Sequence, residues 1–222
     1  FVRIAAELTE GVEKQPPVIA KESYRNWQIP AATPGDVKLE EVICHLREVL
    51  PEDAIITNGA GNYAGWLHRY YSYNSYRTQL APTSGSMGYG LPAAIAAKLE
   101  YSEREVICLA GDGCFQMTMQ EFGTARQYGL KVIVIVVNNG VYGTIRMHQQ
   151  REYPGRPSGT TMVNPDFSAL AASYGCAGEV ITKTEDFALA LERARKAETS
   201  TLIELRTDPT AVTPRTPALG II

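Results

Sequence analysis

The sequence lacks the marks of several whole classes of protein. None of its 222 residues lie in an apolar run long enough to span a bilayer, which takes about 20 consecutive apolar residues. Charge is nearly balanced, with a formal net charge of −3 at pH 7, so there is no electrostatic case for nucleic acid. Neither GxGxxG nor GxxxxGK[ST] occurs, which removes the usual nucleotide-loop signatures. The four cysteines, Cys44, Cys108, Cys114 and Cys176, form no CxxC pair. Cys44 and Cys108 sit in apolar patterns and read as buried thiols, and the set points to a reducing cytoplasm. An initiator Met and a signal-peptide pattern are both missing, and Phe1 to Leu8 opens on helical apolar spacing. That reads as a fragment of a longer polypeptide.

What is present is a globular composition, 45% hydrophobic and 20% charged. Pro16, Pro17, Pro30 and Pro34 break residues 1–34, with little periodicity between them, into a tail of something preceding and a linker. Val37 to Leu50 has the spacing of an amphipathic helix ended by Pro51. Ala54–Thr57 is a short strand, and Asn58-Gly59-Ala60-Gly61-Asn62 its exit turn. That turn suits a phosphate contact or a plain βα loop, and its residues alone do not choose. Tyr63, Trp66, Tyr70, Tyr71, Tyr73 and Tyr76 follow with few basic residues, which favours a protein interface or core over base stacking. His68 stands among them with no partner to activate it and reads as structural. Thr83 to Gly90 is rich in glycine and serine and opens a helix over 91–99.

The organising stretch comes next. Val106–Ala110 is a short apolar run with the look of a buried strand. It ends on Gly111-Asp112-Gly113. Thr118 and Glu121 fit a capping box, which predicts a helix from about 119 to Tyr128 that stops at Gly129. Val132–Val137 is almost entirely β-branched, as in a parallel strand buried on both faces. Asn138-Asn139-Gly140 closes the unit, with Asn139 placed 27 positions after Asp112. In an open parallel sheet ligands sit at the carboxyl ends of strands. One carboxylate and one amide would therefore meet at one edge, a hard oxygen pair suited to Mg2+ carried by a phosphate ligand. Gly111 and Gly113 allow the close backbone approach that a diphosphate needs.

Downstream, Arg146 to Thr161 reads as a mobile loop or short helix. Its Arg146, His148, Arg151 and Arg156 could meet an anionic substrate or simply form a solvated face. Asn164-Pro165-Asp166-Phe167 has the look of a helix start with Asn164 as N-cap and Pro165 at the first position. That helix ends at Gly175. Val180-Ile181 is a strand, 185–197 a helix and Leu202–Leu205 a last strand. Alternating strands and helices predict an α/β fold, a parallel sheet flanked by helices on both faces.

Gly111-Asp112-Gly113 with Asn138-Asn139 resembles the thiamine diphosphate-binding motif. Together with Gly85-Ser86-Met87-Gly88-Tyr89-Gly90 and Asn164-Pro165-Asp166-Phe167, the stretch from about Asp53 to Leu205 looks like the diphosphate-binding, C-terminal domain of the acetolactate synthase and 2-oxo acid decarboxylase superfamily. The resemblance implies thiamine diphosphate and Mg2+, with Asp112, Asn139 and the backbone carbonyl of Val141 on the metal. It assigns Gly59, Ala60, Gly111, Gly113, Cys114, Tyr142, Gly143 and Thr144 to the cofactor pocket. Gly85 and Ser86 would hold the aminopyrimidine, with Met87 as the apolar wedge that bends the cofactor; on its residues alone Met87 is also a gap-filling core methionine.

By the same resemblance the domain runs over 35–207, after a linker at 1–34 and before an extended tail at 208–222. The activating Glu has no match here and belongs to a pyrimidine-binding domain of a second subunit, in a homodimer or homotetramer. The isolated chain is therefore expected to be inactive on 2-oxo acids. FAD, known in part of the superfamily, is not readable from these residues. His148 stands where acetolactate synthases carry tryptophan, a departure that weakens that particular assignment. A non-catalytic relative and a nucleotide-binding α/β module are the other readings.

Overall fold

The computed structural model describes residues 18–214. Phe1–Leu8, Pro16, Pro17 and Pro217 lie outside the described residues. Six strands are described: β1 (Ile55–Asn58), β2 (Gln79–Leu80), β3 (Val106–Gly111), β4 (Ile133–Asn138), β5 (Ala177–Ile181) and β6 (Thr201–Arg206). They form one sheet in the order β2-β1-β3-β4-β6-β5, and every pairing is parallel. The chain leaves β1 toward the β2 edge and returns to place β3 on the other side of β1. Register runs Thr57↔Cys108, Leu109↔Ile135 and Ile135↔Ile203 across the centre.

Strand pleating sends alternate residues to opposite faces, and both faces are buried. Ile107, Leu109, Ile133, Ile135, Val137 and Ile203 face helices α2 (Leu39–Val49), α3 (Ala64–Tyr70) and, beyond the later strands, α9 (Phe187–Lys196). Val106, Cys108, Ala110, Val132, Val134, Val136 and Leu202 face α4 (Gly90–Glu100), α6 (Glu121–Gln127) and α8 (Phe167–Ser173). This two-faced burial is why the strands read as continuous apolar runs rather than alternating ones.

Several local expectations give way to tertiary structure. The segment after Pro17 contains a helix, α1 (Val18–Trp27); prolines are tolerated at or before a helix's first turn. β2 was invisible because two residues carry no periodicity. A short helix, α5 (Asp112–Gln116), starts directly on the glycine turn. The capping box does not form: α6 starts at Glu121 without a side-chain cap, and Thr118 Oγ1 donates to the Gly88 carbonyl at 2.9 Å. Asn164 is likewise not a cap. Asp166 caps α8 by accepting from Ala169 N at 2.9 Å, and the helix ends at Ser173. In both cases a side chain suited to a helix end found a better-buried partner elsewhere. The segment after Gly140 contains helix α7 (Gly143–Glu152).

The aromatic run is core rather than surface. Trp66 and Tyr70 are fully buried and Tyr63 and Tyr71 nearly so, whereas Tyr76 is exposed. Cys108, Cys114 and Cys176 are buried, but Cys44 is only half-buried. Residues 208–214 do not trail away. Arg69, buried beneath Trp27, donates to the Pro214 carbonyl and, at 2.5 Å, to the Trp27 carbonyl. One guanidinium thus ties both flanking segments to α3.

Candidate cofactor site

The exits of four adjacent strands enclose one cavity of about 440 Å³. From β1 come Ala60, Gly61 and Asn62; from β3, Gly111, Asp112, Gly113 and Cys114; from β4, Asn139, Val141, Tyr142, Gly143 and Thr144; from β6, Thr207. Gly85 and Met87 close one side, and Leu39, Ala211 and Val212 another. The sequence reading therefore assembled most of the wall. It missed Leu39, Tyr63, Trp66, Val137, Ile145, Thr207, Ala211 and Val212, which carry no site motif and reach the cavity by packing. Gly59 and Ser86 do not line it: Gly59 N bonds to the Leu109 carbonyl at 3.4 Å, and Ser86 faces Ser84 on the surface. His148, Arg151 and Arg156 are exposed and also lie outside it. Arg146 is spent on Thr160 and Thr161, at 2.5 and 2.9 Å.

Asp112 is the electrostatic centre, 4% exposed at the N-terminus of α5. Burial pushes its carboxyl above the usual carboxylate range, opposed by hydrogen bonds from Asn164, Gly113 and Gly140. Oδ1 accepts from Gly113 N at 2.8 Å. Oδ2 accepts from Gly140 N at 2.9 Å and from Asn164 Nδ2 at 2.8 Å. The carboxylate so spans the ends of β3 and β4. Asn139 Oδ1 caps its own turn by accepting from Val141 N at 3.1 Å. Asn164, unmarked in sequence except as a presumed cap, is the missed polar residue.

Two glycines are required by contact. A Cβ on Gly113 would lie 2.7 Å from the Tyr142 ring, and one on Gly111 would lie 2.9 Å from the Tyr63 ring. Tyr63 Oη in turn reaches Cys114 Sγ at 3.4 Å, and Gly88 N donates to the same sulfur at 3.0 Å. Thr144 Oγ1 donates to Asn62 Oδ1 at 3.0 Å, joining the β1 turn to α7. Met87 lines the cavity and packs on the core beside it.

The donors fit a diphosphate carried by a hard cation. Among the described residues no three His, Cys, Asp or Glu side chains cluster as a metal cage. A cation here would rely on one carboxylate, one amide, a backbone carbonyl and ligand oxygens, the set Mg2+ favours. Gly111, Gly113 and Gly143 line the cavity without side chains of their own, which lets an anion approach their backbone.

A doubly covered parallel sheet whose central strand exits share one cavity, with Asp112 and Asn139 in its wall, defines a cofactor-binding α/β domain. Residues 59–205 match the family described as "Thiamine pyrophosphate enzyme, C-terminal TPP binding domain", and the chain belongs to that family. It is 38% identical over 180 residues to the acetolactate synthase large subunit of Parasynechococcus marenigrum, covering 80% of this chain and 29% of that protein. Against the acetolactate synthase large subunit of Corynebacterium glutamicum it is 37% identical over 170 residues, covering 73% and 27%. The chain thus spans under a third of the length of these relatives. Among solved structures, the Rhodococcus jostii RHA1 thiamine diphosphate-dependent 4-hydroxybenzoylformate decarboxylase superposes with a TM-score of 0.75 at 31% identity, over 82% of this chain and 34% of that one.

Proposed function

We propose that this chain supplies the diphosphate- and metal-binding part of a thiamine diphosphate- and Mg2+-dependent enzyme that acts on 2-oxo acids by decarboxylation, carboligation or both. The observation that carries the reading is the meeting of Asp112, Asn139 and the Val141 backbone in one cavity with close-packed glycines. Asp112 and Asn139 side-chain oxygens and the Val141 carbonyl would hold Mg2+. Backbone at Gly111, Gly113 and Gly143, with Thr144, would hold the diphosphate. Gly85 and Met87 would take the aminopyrimidine end. When bound, the cofactor supplies the electron sink for breaking a bond beside a carbonyl. The residues of this chain bind, orient and screen it from water. The names of the relatives support both a ligase and a decarboxylase outcome, and His148 in place of a tryptophan leaves the acceptor open.

The remaining half of the pocket would come from a pyrimidine-binding domain across a homodimer or homotetramer interface, in the cytoplasm. Calorimetric titration of the chain tests the cofactor assignment. Thiamine diphosphate with Mg2+ is expected to bind, and binding is expected to vanish with EDTA or on Asp112→Ala. ATP with Mg2+ binding as well as or better than thiamine diphosphate would overturn the assignment in favour of a nucleotide module.

A further inference from the structure

Behind the cavity wall a chain of side-chain hydrogen bonds runs from β6 to Asp112. Glu204 sits at the middle of β6, 1% exposed in the otherwise apolar Leu202-Ile203-Glu204-Leu205. Its Oε1 accepts from Asn138 Nδ2 at 2.7 Å. Asn138 Oδ1 accepts from Asn164 Nδ2 at 2.7 Å and from Gly140 N at 3.1 Å. The same Asn164 Nδ2 donates to Asp112 Oδ2 at 2.8 Å. Asn164 Oδ1 accepts from Gln116 Nε2 at 2.8 Å.

An ionised carboxylate only accepts, whereas an amide has one accepting and one donating end. Glu204 therefore fixes which way Asn138 points: its nitrogen to Glu204, its oxygen to Asn164. That oxygen, with Gln116 on the far side, fixes Asn164 with its nitrogen toward Asp112. Oδ2 of Asp112 takes two donors, from Asn164 and Gly140, Oδ1 takes the Gly113 amide, and the Asn139 backbone amide also donates to this carboxylate. A carboxylate oxygen has about two lone-pair sites. Oδ2 is thus filled by Asn164 and Gly140.

We propose that Glu204 is a positioning residue for the metal end of the site, acting through Asn138 and Asn164 to hold the Asp112 carboxylate in one orientation. This rests on the Mg2+–diphosphate reading of the cavity. Glu204 touches neither cavity nor ligand. Burying a carboxylate in a sheet core is costly unless it is well paired; Arg206 Nε donates to Glu204 Oε1 at 3.2 Å, while Oε2 has no partner. Arg206 offsets part of that cost at the strand end, and the contact that leads toward the site is the one to Asn138.

The experiment compares Glu204→Leu and Glu204→Gln with the unaltered chain, reading the Mg2+ concentration for half-maximal thiamine diphosphate binding by calorimetry and the melting temperature without ligand. Leu matches the volume, and replacing a buried charge by an apolar group is often neutral for stability. A positioning role predicts that Glu204→Leu folds but needs ~10–100-fold more Mg2+, the usual cost of losing an outer partner of a ligand. Glu204→Gln, whose Oε1 still accepts from Asn138, recovers most of the affinity. Should Glu204→Leu not fold, Asn164→Ala, which removes the donor to Asp112 outside the sheet, is expected to raise the Mg2+ requirement in the same way. An unchanged requirement in a folded Glu204→Leu or Asn164→Ala protein overturns the proposal. If the unaltered chain binds no thiamine diphosphate at any Mg2+ concentration, the cofactor reading itself fails, and this inference with it.

Discussion

A methyl group added to Gly59 would lie 2.1 Å from Cys114 Sγ and 2.9 Å from Tyr63 Oη. Relieving it means moving the sulfur that Gly88 N and Tyr63 both use. Gly59→Ala is expected to cost about 1–3 kcal/mol, as overpacking of a filled core does, measured by urea unfolding. Cys108 offers a second check. Burial pushes its thiol up to about 12, so almost no thiolate exists at pH 8. In the native protein iodoacetamide should reach Cys44 first and Cys108 only after denaturant is added; prompt native labelling of Cys108 would contradict the packing. The sequence made Asp112 and Asn139 legible because glycine turns and apolar strands frame them at a spacing that admits one helix and one return strand. Asn164 and Glu204 were not legible. One looked like a helix cap and the other like an isolated polar residue in a strand, and their partners lie 26 to 66 positions away.

Helix α7 shows what an element without a core looks like. None of its residues is buried, so its own sequence gave no apolar stripe to read. It is held instead at its flanks. Tyr142 N donates to the Thr160 carbonyl at 2.9 Å, Met162 N donates to the Gly140 carbonyl at 2.8 Å, and Val141 pairs with Thr161. Arg146 cross-links the helix to Thr160 and Thr161. Elements with few buried contacts open locally at low free energy. Arg146→Ala is expected to speed amide hydrogen exchange across 143–160 while β3 and β4 stay protected. Thiamine diphosphate with Mg2+ should slow exchange over the same segment in the unaltered chain. Uniform exchange across β4 and α7 would show that the segment is not a separate unit. Strands β1, β3, β4 and β6, by contrast, were readable to within about a residue at each end, because burial imposes a continuous apolar run, whereas β2 and β5, which lack it, were missed or cut short.

For the whole molecule, most of helix α4 and of the aromatic run is absorbed into the two cores, with Tyr76 and Leu99 left exposed. The case for a missing half-site rests on length and chemistry: the chain covers 29% of its Parasynechococcus relative, and no carboxylate other than Asp112 lines the cavity. Proton transfer by a positioned group typically contributes ~10²–10⁴-fold. The purified chain with thiamine diphosphate and Mg2+ is therefore expected to release no CO2 from pyruvate or benzoylformate above background. Turnover that disappears on Asp112→Ala would show the machinery to be complete in these residues. Fold class was legible from the alternation of elements; the strand order was not, because pairing among parallel strands is decided by packing between distant segments.

The strand order has a consequence during synthesis. β6, last in sequence among the described strands, lies between β4 and β5. A ribosome that has released the chain only to residue 200 has produced β4 with one edge bare and β5 with nothing to pair to. Glu204 and Thr207 are also still unmade, so the nascent cavity lacks a wall and Asn138 lacks its anchor. The domain thus completes its sheet and its pocket in a single late event. Until then it presents an unpaired parallel edge of the kind that recruits other chains, and its dependence on holdase chaperones should be concentrated in the interval between emergence of β4 and emergence of β6.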